Sequence, residues 1–205
     1  MSFLTGTQAE CIYSMPASGS AVTAAAITAM SGATAANPPF LLPGGFFNPQ
    51  EGTRPGKALI LKGGGSWSTP TAARTTAFTV GMDTAAGTLG LTLGKTGTLT
   101  TPITTVTWGF DFELLATLTQ QGAAASGGLL NVIGWVEYGQ ANNAATGTIG
   151  TAGAGNASRF LIGTPQTAVA FTTTTPYYLE VFNTWDAVTN APTITLTNFN
   201  VYCVN

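Results

Sequence analysis

The chain of 205 residues contains no histidine. Histidine is the usual general base near neutral pH and the commonest zinc ligand, so its absence excludes Ser-His-Asp and Cys-His triads. Charge is the second scarcity. Asp, Glu, Lys and Arg make up 7% of the residues, against about 25% in an average domain. Six basic and eight acidic residues leave a net charge of −2. The basic residues Arg54, Lys57, Lys62, Arg74, Lys95 and Arg159 are scattered. Nucleic-acid binding needs clustered cations that release counterions, so nucleic acid is not an expected partner. No apolar run approaches the roughly 18 residues of a membrane-spanning helix, so no membrane partner is expected. The mean hydropathy of +0.27 comes from Ala, Val, Leu and Phe dispersed among Gly and Thr.

Cysteine is nearly absent too. Cys11 and Cys203 lie near opposite ends, without a CxxC spacing, which removes a cysteine-based zinc site. They pair if the terminal strands are neighbours; otherwise they are two buried thiols behaving as small hydrophobes. The first residues, MSFLTGTQAECIYS, have no basic start and carry Glu10, so a secretory signal is not expected. Synthesis in the cytoplasm is the expectation that fits, and a cytoplasmic origin favours thiols over a disulfide. A surface so poor in charge must be covered by Thr, Ser, Asn, Gln and Gly, or by other protein. It suits either an extracellular polar β-domain or a component of an assembly, where charged surface would have to be desolvated.

What is present is a β pattern. A chain of this length fits one all-β domain. From Lys57 onward the apolar period is two. Phe78, Val80 and Met82 alternate with Thr79 and Gly81; Leu89, Leu91 and Leu93 alternate with Gly90 and Thr92. Val106, Trp108, Phe110 and Phe112 alternate with Thr107, Gly109, Asp111 and Glu113, the signature of a half-buried strand. Ala58–Leu61 predicts a short strand ended by Gly63-Gly64-Gly65. Further strands are expected over Leu129–Tyr138, Arg159–Ile162, Ala168–Thr172, Tyr177–Asn183 and Thr193–Val204. In the last, Ile194 and Leu196 have one parity and Phe199, Val201 and Cys203 the other. One extra residue near Thr197-Asn198, a β-bulge, returns all five to one face. The segment 139–158 is a long Gly/Ala/Asn-rich loop.

Residues 1–56 differ. Ala17–Ala36 is Ala/Thr/Ser/Gly-rich, consistent with one short helix or an ordered arm. Five prolines and several glycines in residues 37–56 then forbid regular structure. Yet Phe40, Leu41, Leu42, Phe46 and Phe47 need burial, either on the chain's own core or on a partner. The expected architecture is an antiparallel β-sandwich or jelly roll, residues 57–205, with an extended N-terminal arm, residues 1–56.

Candidate chemistry is sparse. Gly94-Lys95-Thr96 echoes the end of a phosphate loop, but Leu89 stands where its first glycine would be. Asp111 and Glu113 share a strand face, with Glu137 on a neighbouring strand, the best carboxylate constellation for hydrolysis. The plainer reading is the solvent half of an amphipathic strand. Asp83, Asp111 or Asp186 could serve calcium, but no dense Asp/Asn/Gly loop surrounds them. No catalytic, metal or cofactor site is therefore expected. Of the tryptophans, Trp108 is in phase with a core face and Trp135 shares the parity of Ile133. Trp67 and Trp185, beside Ser, Thr and Asp, are the candidates for exposed aromatics that could stack on sugars.

The framework resembles a family of tailed-phage virion proteins with a jelly-roll domain. The likeness rests on Phe46-Phe47 before Gly56-Lys57, Leu59 and Leu61 leading to Gly63 and Ser66, and the strand from Trp108 to Thr119. It continues through Gly134–Gly139, Tyr178, Leu179 and Val181 before Trp185, then Asn190 and Thr193-Ile194-Thr195. It covers roughly residues 40–205, and the three consecutive glycines depart from it. The resemblance implies a virion structural protein made in the host cytoplasm, with the major capsid protein or other virion proteins as partners. A capsid decoration (cement) protein, self-associated as a homotrimer, is the leading expectation. A tail or fibre component, binding host-surface carbohydrate, is the alternative.

Overall fold

The structure is a computed structural model that describes residues 9–31, 37–47, 58–68, 72–101, 107–121, 127–139, 158–162, 169–187 and 192–204. Among these residues there is no helix. The strands are β1 (Ala9–Ser14), β2 (Thr28–Ala29), β3 (Phe40–Leu42), β4 (Ala58–Ser68), β5 (Thr75–Asp83), β6 (Leu91–Lys95) and β7 (Leu99–Thr100). They continue with β8 (Thr107–Gln121), β9 (Gly128–Tyr138), β10 (Ser158–Ile162), β11 (Val169–Phe171), β12 (Tyr177–Trp185) and β13 (Ile194–Val204). The larger sheet runs β1-β13-β4-β8-β9-β10, with β11 also on β9. The smaller runs β2-β12-β5-β6, with β3 on β12 and β7 on β5. Every pairing is antiparallel. Phe78 of β5 meets Phe112 of β8 at 5.1 Å between ring centroids and Phe110 at 6.1 Å. The two sheets therefore face each other across an aromatic core, as in a sandwich.

The alternation expected of the sequence sets the inner faces. Phe78, Val80 and Met82 are buried on β5; Trp108, Phe110, Phe112 and Leu114 are buried on β8. In β13 the register shifts between Leu196 and Asn198. Ile194, Leu196, Phe199, Val201 and Cys203 are all buried, so the bulge does what the phase break requires. Thr197 at the bulge donates its hydroxyl to the Gly64 carbonyl at 3.0 Å.

The expected stop at Gly63-Gly64-Gly65 does not occur. β4 runs through all three glycines to Ser68, paired on one side with β13 and on the other with β8. The glycines are there because nothing larger fits. A Cβ on Gly63 would stand 2.7 Å from Phe112 Cε1 and 2.6 Å from Asn198 O. On Gly65 it would stand 1.9 Å from Thr195 O and 2.9 Å from Phe110 Cε1. Two aromatic rings of β8 occupy the space that inward side chains of β4 would otherwise take.

Where it is described, the N-terminal segment forms short strands and no helix. β1 adds an edge to the larger sheet, and β2 and β3 add to the smaller one. Val22 bridges to Ile194. Most of the 139–158 loop lies outside the described residues, as does Val106. Cys11 and Cys203 sit on the neighbouring strands β1 and β13 but are not bonded to each other. Their registers are one residue apart, since Cys203 pairs with Glu10 and Cys11 with Tyr202. They therefore point to opposite faces, Cys203 inward and Cys11 outward.

Gly65→Ala is expected to destabilise the fold by roughly 1–3 kcal/mol through overpacking at the centre of the larger sheet. Gly97→Ala, whose methyl meets nothing within 4 Å, is the control and stays within about 0.5 kcal/mol. Urea midpoints measure both; equal shifts would show that the glycine track is not a packing constraint.

Candidate functional site

Of the five apolar residues that need burial on the core or on a partner, and that are the candidate partner contacts, most cover the chain's own core. Leu42 and Phe47 are buried there. Phe47 packs edge-on against Phe171, at 5.3 Å between ring centroids, because the turn after β3 folds back over the core. Phe40 is half-buried on Tyr13 at 5.2 Å, and Phe46 is half-buried on Phe47 at 5.1 Å. Leu41 alone points out, 45% exposed, because the neighbours that share its strand face inward.

Trp67 and Trp185 are not exposed, contrary to expectation. They are 1% and 2% accessible. Trp67 stands one step beyond the glycines on the inner parity of β4, where it packs on Trp108 and Tyr138. The Trp185 indole N–H donates to the Val22 carbonyl at 3.1 Å. Their polar sequence neighbours mark the outer parity of the same strands. The outward tryptophan is Trp135. Apolar residues occupy both parities of β9; Leu130, Val132, Val136 and Tyr138 are buried, while Ile133 is 51% exposed and Trp135 half-buried. The Arg159 guanidinium lies over the Trp135 ring at 4.2 Å.

The carboxylate constellation does assemble, on the outer face of the larger sheet. Asp111 is directly opposite Glu137 and Glu113 opposite Trp135. Each glutamate is already engaged. Lys62 pairs with Glu113 at 3.0 Å. Arg159 reaches Glu137 Oε2 through Nη2 at 2.8 Å and donates Nε–H to it at 2.9 Å. Burial raises the Asp111 pKa above its ordinary value; Glu137 adds to this and Arg159 opposes it. The arrangement is a ladder of cross-strand ion pairs on an open face. Asp83, Asp111 and Asp186 stay on separate elements, and the Asp83 carboxylate is occupied by Thr84 and Ala85 amides. Among the described residues no group of three or more acidic or cysteine side chains is placed to hold a metal ion. Lys95 is outward on β6, and the Thr96 hydroxyl binds the Phe78 backbone; no phosphate cradle forms there.

One carboxylate escaped the sequence reading. Glu180 of β12 is fully buried, between Leu179 and Val181 in a strand whose two faces are both covered. Gly87 N–H donates to Oε2 at 2.7 Å and the Ser31 hydroxyl to Oε1 at 3.1 Å. It thereby fastens the β5–β6 turn and the segment after β2 to the middle of the smaller sheet. Neither ion pair found among the described residues reaches it. Burial raises its pKa; the Gly87 and Ser31 hydrogen bonds pull it back and the Asp83 charge pushes it up.

Comparison with protein-family models, curated proteins and solved structures finds no match to this chain.

The folded state holds the Glu180 proton more tightly than the unfolded chain does. This group therefore subtracts stability above its folded pKa, and that loss is recovered as pH falls toward the ordinary glutamate value of 4.5. Glu180→Gln keeps a hydrogen-bonding side chain and removes the charge. It is expected to flatten the fall of stability as pH rises above the ordinary glutamate value of 4.5, without lowering stability at pH 7. Denaturant midpoints across that range test this; a variant curve parallel to that of the parent would refute it.

Proposed function

We propose that the chain is a structural component of a tailed-phage virion, and within that class a capsid decoration protein. On this reading it binds the outside of the head, acts through inter-subunit contacts rather than catalysis, and self-associates. The observation that carries the proposal is a charge-poor sandwich with apolar side chains on an outer sheet face. Ile133 and Leu161 are 51% and 68% exposed there, in a chain with 7% charged residues. Such a face is hidden at low desolvation cost when it meets another protein. The framework resemblance set out above points the same way. The engaged carboxylates on that face support a structural rather than a hydrolytic role. The sandwich is read as a jelly roll because the chain passes repeatedly between sheets, from β4 to β5, from β9 and β11 to β12, and from β12 to β13.

The tail or fibre alternative is less well supported in its sugar-binding form. Trp67 and Trp185 are buried, and Trp135 already carries a guanidinium on its ring. Purified protein mixed with tailless heads that lack it is expected to sediment with them and saturate at regular lattice positions. Labelling of tails or fibres in the intact virion, with no binding to heads, would replace the decoration role by the alternative.

A further inference from the structure

The outer face of the larger sheet carries a continuous apolar stripe. Backbone register aligns Cys11, Tyr202, Ile60, Leu115 and Ile133 in one row across β1, β13, β4, β8 and β9. The next row brings Trp135 and Leu161 beside the Lys62–Glu113 ion pair. Leu161 and Ile133 are the two most exposed large hydrophobic residues among those described. A stripe perpendicular to the strands has a geometric property: a two-fold axis lying along it places the stripe of one copy on the stripe of another.

The charges do not oppose the same operation. Beyond Trp135 lies the row with Asp111, Glu137 and Arg159. On the opposite side of the stripe lies a row with Val204, Ala58, Thr117 and Asn131, which holds no charge. A two-fold along the stripe sets the charged row of one copy against the uncharged row of the other. Lys62–Glu113 and Arg159–Glu137 are neutralised within their own copy. No like charges are brought together, and flat sheet faces pack on each other about 10 Å apart.

We propose that a second copy of this chain docks here, sheet face on sheet face across a two-fold axis. The inference rests on the self-association in the functional reading above and gives that association its surface and symmetry. An isologous contact closes at two copies, so the unit is a dimer in place of the trimer expected from the sequence. Six strands ~4.8 Å apart and three rows ~7 Å apart give a face of roughly 600 Å² per copy. The pair buries roughly 1,200 Å², at the lower limit of specific interfaces, so the contact is a weak one.

Sedimentation velocity of the full chain from about 1 to 100 µM covers the range of a contact this small. The parent is expected to pass from monomer to dimer. Leu161→Asp and Ile133→Asp are each expected to weaken dimerisation at least about tenfold, as burying an unpaired charge requires. Leu41→Asp, on an exposed residue of the other sheet, is expected to dimerise like the parent. In the parent itself, the exposed Cys11 thiol is expected to react more slowly with a maleimide as concentration rises, a readout independent of any variant's folding. A trimer, or a dimer that both aspartate variants leave intact, would overturn this face while leaving self-association standing. A parent that is monomeric throughout, with Cys11 reactivity independent of concentration, would remove both.

Discussion

The packing of Phe110 and Phe112 over Gly63 and Gly65 is the contact on which the larger sheet depends. β4 is central, between β13 and β8, and its inward positions change from Leu59 and Leu61 to two glycines and then Trp67. Rings from the neighbouring strand fill the gap, a close approach that any Cβ would block. The same rings reach the smaller sheet through Phe78 and reach β13 through Phe199. Strand pairing and sheet-on-sheet packing are therefore coupled at one place. The bulge in β13 belongs to the same arrangement, since Thr197 binds the Gly64 carbonyl and the register shift lies beside the glycines.

Around that centre the N-terminal segment ties the sandwich together. β1 closes one edge of the larger sheet, while β2 and β3 extend the smaller one. Tyr13 on β1 packs on Phe40 of β3 and donates its hydroxyl to Pro38 O at 2.8 Å. A link between sheets thus forms from residues that have no strong strand signal of their own. Glu180 adds a second link, holding two connecting segments with one buried carboxylate. A buried carboxylate is costly, and here the Gly87 amide and the Ser31 hydroxyl both donate to it.

The functional reading follows from where the apolar residues could not go. A sandwich has two inner faces, and this chain has more apolar side chains on β8, β9 and β13 than those faces accept. Leu115, Ile133 and Trp135 are left outward, flanked by ion pairs that cancel locally. A chain with abundant surface charge would dilute such a stripe; this one has little to dilute it with.

The class of fold and much of the strand layout can be read from the pattern of apolar residues alone. Period-two alternation located the strands β5, β8, β9, β10, β11, β12 and β13, and the phase break at Thr197-Asn198 located the bulge, because burial on one face forces register. The short strands β1, β2, β3 and β7 were not legible, since their residues carry no apolar alternation. Three further matters depend on packing between strands and sheets. Gly63–Gly65 continue a strand because partners on both sides hold it and aromatic rings fill it. Trp67 and Trp185 are inside because their strand faces, not their sequence neighbours, set their surroundings. Ile133, Trp135 and Leu161 are outside because β9 and β10 are apolar on both parities, and a pattern with two apolar faces cannot say which one the second sheet will cover.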